Sequence, residues 1–125
     1  MTKEFAPYEL AVKLKALGFN EPCFGFYLED GTWTPASYSR EGTVYPSNTD
    51  LLPEWCTAPL CQQAFRWFRN SGRVADVFSQ LLPSGRHKWG YKIQGVEGIT
   101  DGFLSFEEAE VACVTKLIEL AESMV

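Results

Sequence analysis

Histidine is almost absent from this chain: His87 is the single imidazole in 125 residues. Zinc sites and acid–base catalysis built on several histidines therefore have no material here. Long apolar runs are missing too. The longest are a few residues, against the roughly 20 needed to cross a bilayer. Met1-Thr2-Lys3-Glu4-Phe5 lacks the apolar core of a secretory leader. The expectation is a cytoplasmic protein that makes no use of a membrane. Positive charge is scarce, with 11 Lys and Arg against 16 Asp and Glu, a net charge of −5. That balance argues against a strongly basic, duplex-binding domain. No G-x-x-x-x-G-K-[ST], G-x-G-x-x-G or H-E-x-x-H is present, so no cofactor is expected and no catalytic residue is assigned.

What is present fits a single α+β domain over residues 1–125. Hydrophobic residues make up 46% and charged residues 22%, enough to build a core without metals or disulfides at this length. The four cysteines, Cys23, Cys56, Cys61 and Cys113, read as reduced thiols in a cytosolic context. Cys56 and Cys61 have a four-residue gap that suits a zinc ligand pair, but a second pair is missing. Cys23, Cys61 and Cys113 therefore read as small buried apolar residues.

Helical periodicity comes first, after Pro7: Leu10, Leu14 and Leu17 share a face, and Gly18 ends the segment with Phe19 folding back on Leu14. Cys23–Leu28 and Thr32–Tyr38 read as a hairpin, with Asp30-Gly31 as a two-residue type I′ turn and Pro35 marking an edge strand. Thr43–Tyr45 reads as a further short strand. Residues 46–57 form a loop pinned by Leu51, Leu52 and Trp55. A second helix is capped by Thr57 or Ala58, has Pro59 in its first turn, and gathers Leu60, Cys61, Ala64, Phe65, Trp67 and Phe68 on one arc until Gly72. Strands follow at Arg73–Leu82 and Lys88–Gln94, joined by Pro83-Ser84-Gly85; in the second, Trp89, Tyr91 and Ile93 alternate with Lys88, Lys92 and Gln94. Residues 95–103 read as a loop. Ser105-Phe-Glu-Glu108 is a capping box that opens a last helix striped by Phe106, Cys113, Val114, Leu117, Ile118 and Ala121. The expected order is αββ-αββ-α: two layers, with three helices on an antiparallel sheet of about four strands.

Three stretches carry a family resemblance: Leu10-Ala-Val-Lys-Leu-Lys-Ala-Leu-Gly-Phe-Asn-Glu-Pro-Cys23, then Thr57-Ala-Pro-Leu-Cys-Gln-Gln-Ala-Phe-Arg-Trp-Phe-Arg69, and Ser105-Phe-Glu-Glu-Ala-Glu110 running into Leu117-Ile-Glu-Leu120. In these the chain resembles a family of small proteins encoded by gut bacteria, their phages and mobile elements. The resemblance implies a phage or mobile-element context and brings no activity or ligand with it. Asn70-Ser71-Gly72 is shorter than the basic end that the family's second helix carries.

Charge is unevenly distributed. Residues 62–94 hold six Lys and Arg against one acid, a net of +5, whereas 95–125 carry −6 and 1–61 carry −4. Arg66, Arg69, Arg86, His87 and Lys88 are accordingly the candidate binding surface. The leading expectation is a non-enzymatic interaction protein that binds a host or phage protein. The alternative is a nucleic-acid-binding module that uses the basic surface around the second helix and the 83–88 turn. A third reading is a small hydrolase or transferase built on His87 or a cysteine, such as a Cys113–His87 pair. Glu107, Glu108 and Glu110 are explained by the cap and the helix dipole.

Overall fold

The structure, a computed structural model, describes residues 4–39 and 42–124; Met1–Lys3, read above for a leader, lie outside them. The elements in order are α1 (Tyr8–Ala16), β1 (Gly25–Tyr27), β2 (Trp33–Pro35), β3 (Ser37–Ser39), β4 (Gly42–Val44), a 3₁₀ turn (Asn48–Asp50), β5 (Cys56–Thr57), α2 (Cys61–Asn70), β6 (Ala75–Leu81), β7 (His87–Ile93), β8 (Thr100–Phe103) and α3 (Phe106–Glu122). The fold is α+β with antiparallel pairing throughout. Among the described residues its strands divide among three sheets, β2-β1-β5, β3-β4 and β6-β7-β8, in place of the single sheet of about four strands expected.

The αββ repeat is present in the backbone, at a spacing of 54 residues. Gly18 and Gly72 end the first two helices with positive φ, and the next residues, Phe19 and Arg73, donate to the carbonyls of Leu14 and Phe68. Ten residues beyond each glycine a hairpin turns through matching hydrogen bonds: Leu28 N to Thr32 O with Gly31 N to Leu28 O, and Leu82 N to Arg86 O with Gly85 N to Leu82 O. The flanking registers match as well, Tyr27 opposite Trp33 and Leu81 opposite His87.

The first of these turns corrects the two-residue turn expected at Asp30-Gly31. A type I′ turn requires positive φ at both residues, and Gly31 (φ 86°) has it while Asp30 does not. Asp30 instead accepts the Thr32 N–H on Oδ1 at 2.9 Å, and Gly31 alone takes the left-handed position of a three-residue loop. The returning strand is also shorter than expected. It ends at Pro35 on the sheet edge, and Ser37–Ser39 pairs with β4 instead. Of the residues expected to pin the 46–57 loop, Trp55 stacks on Phe26 at 5.4 Å, while Leu52 is 50% exposed. The tie is largely polar. Asn48 is buried, donating to Phe19 O (2.6 Å) and accepting from Thr57 N (2.8 Å), and Lys15 Nζ reaches the carbonyls of Pro53 and Trp55.

Two further boundaries move. Helix α2 begins at Cys61, because the preceding residues are held extended: Thr57 pairs with Phe26, Ala6 N donates to Pro59 O, and Cys61 N donates to Glu4 O. Gln63 Oε1 caps the entry by accepting from Leu60 N at 2.9 Å. The glycine-rich stretch read as a loop contains β8, which pairs with β7 around a bulge at Gly102 (φ 97°). Pairing depends on Gly90 in β7, since a Cβ there would sit 2.7 Å from Thr100 O and 2.8 Å from Asp101 Cβ.

Helix α3 organises the core. It touches all three strands of β6-β7-β8 and both other helices, and its Cys113, Val114, Leu117 and Ile118 pack with Leu10, Leu14, Phe68 and Ile93. The Ser105 cap forms as expected, with Oγ accepting from Glu108 N (3.2 Å); the Glu108 carboxylate reaches back to Leu104 N (3.1 Å). Helices α2 and α3 run side by side in one direction. Gln62 meets Glu110 near their starts, and Arg73 meets Met124 beyond their ends.

Candidate binding cleft

A hollow lies where the first αββ unit meets the start of α3, a cleft of about 920 Å³. Phe5, Tyr8, Tyr27 and Trp33 form one side, and Phe103, Val111 and Ala112 the other, with Ser105, Glu107 and Glu108 also lining it. The aromatics brace one another: Phe5 on Trp33 (5.3 Å between centroids), Tyr8 edge-on to Tyr27 (5.6 Å), and Phe103 stacked on Tyr91 (6.1 Å). Both tyrosine hydroxyls are spent on carbonyls, Tyr27 Oη on Ala6 O (2.7 Å) and Tyr8 Oη on Glu29 O (3.0 Å), which fixes the rings and leaves their carbon faces to line the space. Burial pushes the Tyr27 phenol up to about 12, so it stays protonated. The Trp33 indole lies against the Gly25 backbone, where its buried Nε1 meets no acceptor among the described residues. The ring thus brings apolar surface to the cleft.

Two glutamates give this apolar space its charge. Glu108 is partly committed to Leu104 N, whereas Glu107 makes no hydrogen bond or ion pair among the described residues. The cleft walls come entirely from the two acidic segments of the chain, 1–61 and 95–125. Aromatic faces beside carboxylates attract cations on both counts, by the ring quadrupole and by direct charge.

The residues singled out from sequence occupy two other places. Arg66 and Arg69 lie on α2, and Arg86, His87 and Lys88 at the β6–β7 hairpin end; no hydrogen bond or ion pair among the described residues joins the two groups. Arg66 pairs with Glu21 at 2.6 Å and Lys88 with Asp101 at 3.0 Å, while His87 stacks on Trp89. A Cys113–His87 pair does not form: Cys113 is fully buried, with burial pushing its thiol up to about 12, and His87 is exposed. The other cysteines are likewise free and buried, raised by burial to about 11 (Cys23, Cys56) and about 12 (Cys61). The described residues contain no group of three or more His, Cys, Asp or Glu placed to hold a metal ion, and no helix long and apolar enough to cross a membrane.

Sequence reasoning missed the cleft because its aromatics come from separate segments, and it missed Glu110 as a buried carboxylate. Counting helical turns from Ser105 was the available signal, since Glu110 falls on the inward arc with Cys113, Val114 and Leu117. Comparison with protein-family models, curated proteins and solved structures finds no match to this chain.

Proposed function

We propose that the protein is a non-enzymatic binding module whose aromatic cleft takes up a basic side chain presented by a partner protein. The observation that carries this reading is that Phe5, Tyr8, Tyr27 and Trp33 line one cleft together with Glu107 and Glu108, in the acidic part of the molecule. A lysine or arginine inserted there lays its alkyl stem on ring carbon and its charge near the carboxylates. Each cation–π contact contributes about 0.5–1 kcal/mol when exposed and about 2 kcal/mol when desolvated. The sequence resemblance supports a host or phage protein as the partner. The nucleic-acid alternative has less support, because Arg66 and Lys88 are already engaged by carboxylates within the chain.

Selection of random displayed peptides on the immobilised protein tests the reading. Enriched peptides are expected to carry Lys or Arg beside apolar residues and to lose binding to Glu107→Lys, which leaves the Ser105–Glu108 cap in place. Enrichment of acidic peptides, or binding indifferent to both Glu107→Lys and Tyr8→Ala in variants that melt like the parent, would overturn it.

A further inference from the structure

We propose that β6 is the interface of a symmetric homodimer, two copies joining edge to edge to make a continuous six-stranded sheet. The hydrogen bonds that flank the β6–β7 ladder, Leu82 N to Arg86 O and Gln94 N to Val74 O, show which residues face β7. By the alternation of an antiparallel pair, Ala75, Val77, Ser79 and Leu81 turn their N–H and C=O groups to the open edge. No backbone or side-chain hydrogen bond among the described residues meets them there.

Open edges are normally blunted by shortness, proline, lysine or a bulge. The other edges of the two three-stranded sheets are treated in these ways: β2 is three residues ending in Pro35, β5 is two residues, and β8 is bulged at Gly102 and carries Asp101. Strand β6, Ala-Asp-Val-Phe-Ser-Gln-Leu, is seven residues long with no proline, no basic residue and no bulge against β7. It is the edge a partner strand would find.

The strand's own sequence selects a second copy as that partner. Pairing the outward groups of two antiparallel β6 strands in full register centres the twofold axis on Phe78. Ala75 then faces Leu81 of the second copy, and Val77 faces its Ser79. Asp76 lies opposite Gln80 of the second copy, so the one charge on the strand meets no like charge, and the two Phe78 rings adjoin on the outer face. The arrangement also accounts for Leu81, which is 65% exposed although it shares a face with the core-packed Ala75 and Val77. In the dimer it continues the apolar face of the second copy.

Sedimentation and light scattering should give the mass of two chains for the native protein. Ser79→Pro removes one outward N–H without touching the β7 ladder, so a folded monomer is expected; Leu81→Lys should weaken the dimer independently. The register has its own readout. Phe78 pairs with itself at a position not hydrogen-bonded, where Cα atoms lie about 4.5 Å apart, within the roughly 4.4–6.8 Å that a disulfide spans. Phe78→Cys should therefore oxidise to a covalent dimer, while Asp76→Cys, offset from its own copy by about 13 Å, should not. A native protein of single-chain mass overturns the proposal. So does a dimer that survives Ser79→Pro and Leu81→Lys, or one that cross-links no better in Phe78→Cys than in Asp76→Cys.

Discussion

Gln62 Nε2 donates to Glu110 Oε2 at 2.7 Å, and among the described residues this is the only polar contact that the buried glutamate makes. No cation among the described residues pairs with it. Burial raises the Glu110 carboxyl above its usual range; the Gln62 hydrogen bond opposes the rise, and the charges of Glu107 and Glu4 add to it. A carboxyl raised in the folded state binds its proton more tightly there than in the unfolded chain. Its contribution to stability is complete below the ordinary glutamate value, about 4.3, and is lost as pH rises through the raised folded value. Glu110→Gln keeps the shape and removes the titration. Its urea midpoint should exceed the parent's at pH 7 to 8, with the gap closing toward pH 4. A gap that widens on acidification would reverse the assignment.

Gly90 and Thr100 are related by steric necessity. With the notional Cβ 2.7 Å from a backbone oxygen, Gly90→Ala must push β8 away from β7. Overpacking of this kind costs about 1–3 kcal/mol. Urea denaturation should show a loss on that scale, and hydrogen exchange should show the loosening concentrated in residues 100–103. Uniform loosening across the molecule would mean that β8 is not the element displaced.

Local signals were legible and long-range ones were not. Helix α3, its Ser105 cap, the glycine stops at Gly18 and Gly72 and the Leu82–Arg86 turn all follow from residues within a few positions of one another. Strands β5 and β8 are two and four residues long, and their pairing is decided by distant glycines and aromatics. Cys56–Thr57 finds β1 some thirty positions back in the chain, and Thr100–Phe103 fits only because Gly90 lacks a side chain. The Asp30-Gly31 error has the same root: dipeptide preference alone does not say whether the aspartate will use its backbone or its carboxylate. The cleft was out of reach for a further reason. Phe5, Tyr8, Tyr27, Trp33 and Phe103 share no periodicity, and only the docking of α3 on the first αββ unit assembles them.

Asn48 does the work of a backbone strand for two neighbours. Asn48→Ala leaves the Phe19 carbonyl and the Thr57 N–H without the partner that joins them, and each buried orphan costs about 1–3 kcal/mol. The expected result is a loss at least as large as that of Gly90→Ala, rescued poorly by Asn48→Asp, which supplies the acceptor but not the donor. Full stability in Asn48→Asp would show that the Phe19 carbonyl finds water instead.

Thiol chemistry should be silent in the folded state. The reactive species is the thiolate, and burial holds all four cysteines near 11 to 12. Native protein at pH 7 should react negligibly with an aromatic disulfide reagent, and denatured protein should release four equivalents. One fast equivalent from the native protein would identify a thiol with access to solvent.

Nucleic-acid binding supplies the sharpest contrast with the cleft. Arg66 and Lys88 are tied to Glu21 and Asp101, which leaves Arg69 and Arg86 as the cations of the sequence-selected set without an ion pair among the described residues. Each phosphate neutralised on a single strand lowers log K by roughly 0.7 per decade of salt, so two free cations support a slope of only about −1.4. The expected affinity for short oligonucleotides is the non-specific range, roughly 10⁻⁴ to 10⁻⁶ M, and Arg69→Glu with Arg86→Glu should flatten the salt dependence. Glu107→Lys, which places a cation beside the aromatic wall, should leave oligonucleotide affinity unchanged or raise it while abolishing capture of basic peptides. A submicromolar complex with a steep slope, lost in Arg66→Glu with Arg69→Glu, would move the functional surface from the cleft to α2, because only a continuous cationic face can release that many counterions from a protein of net charge −5.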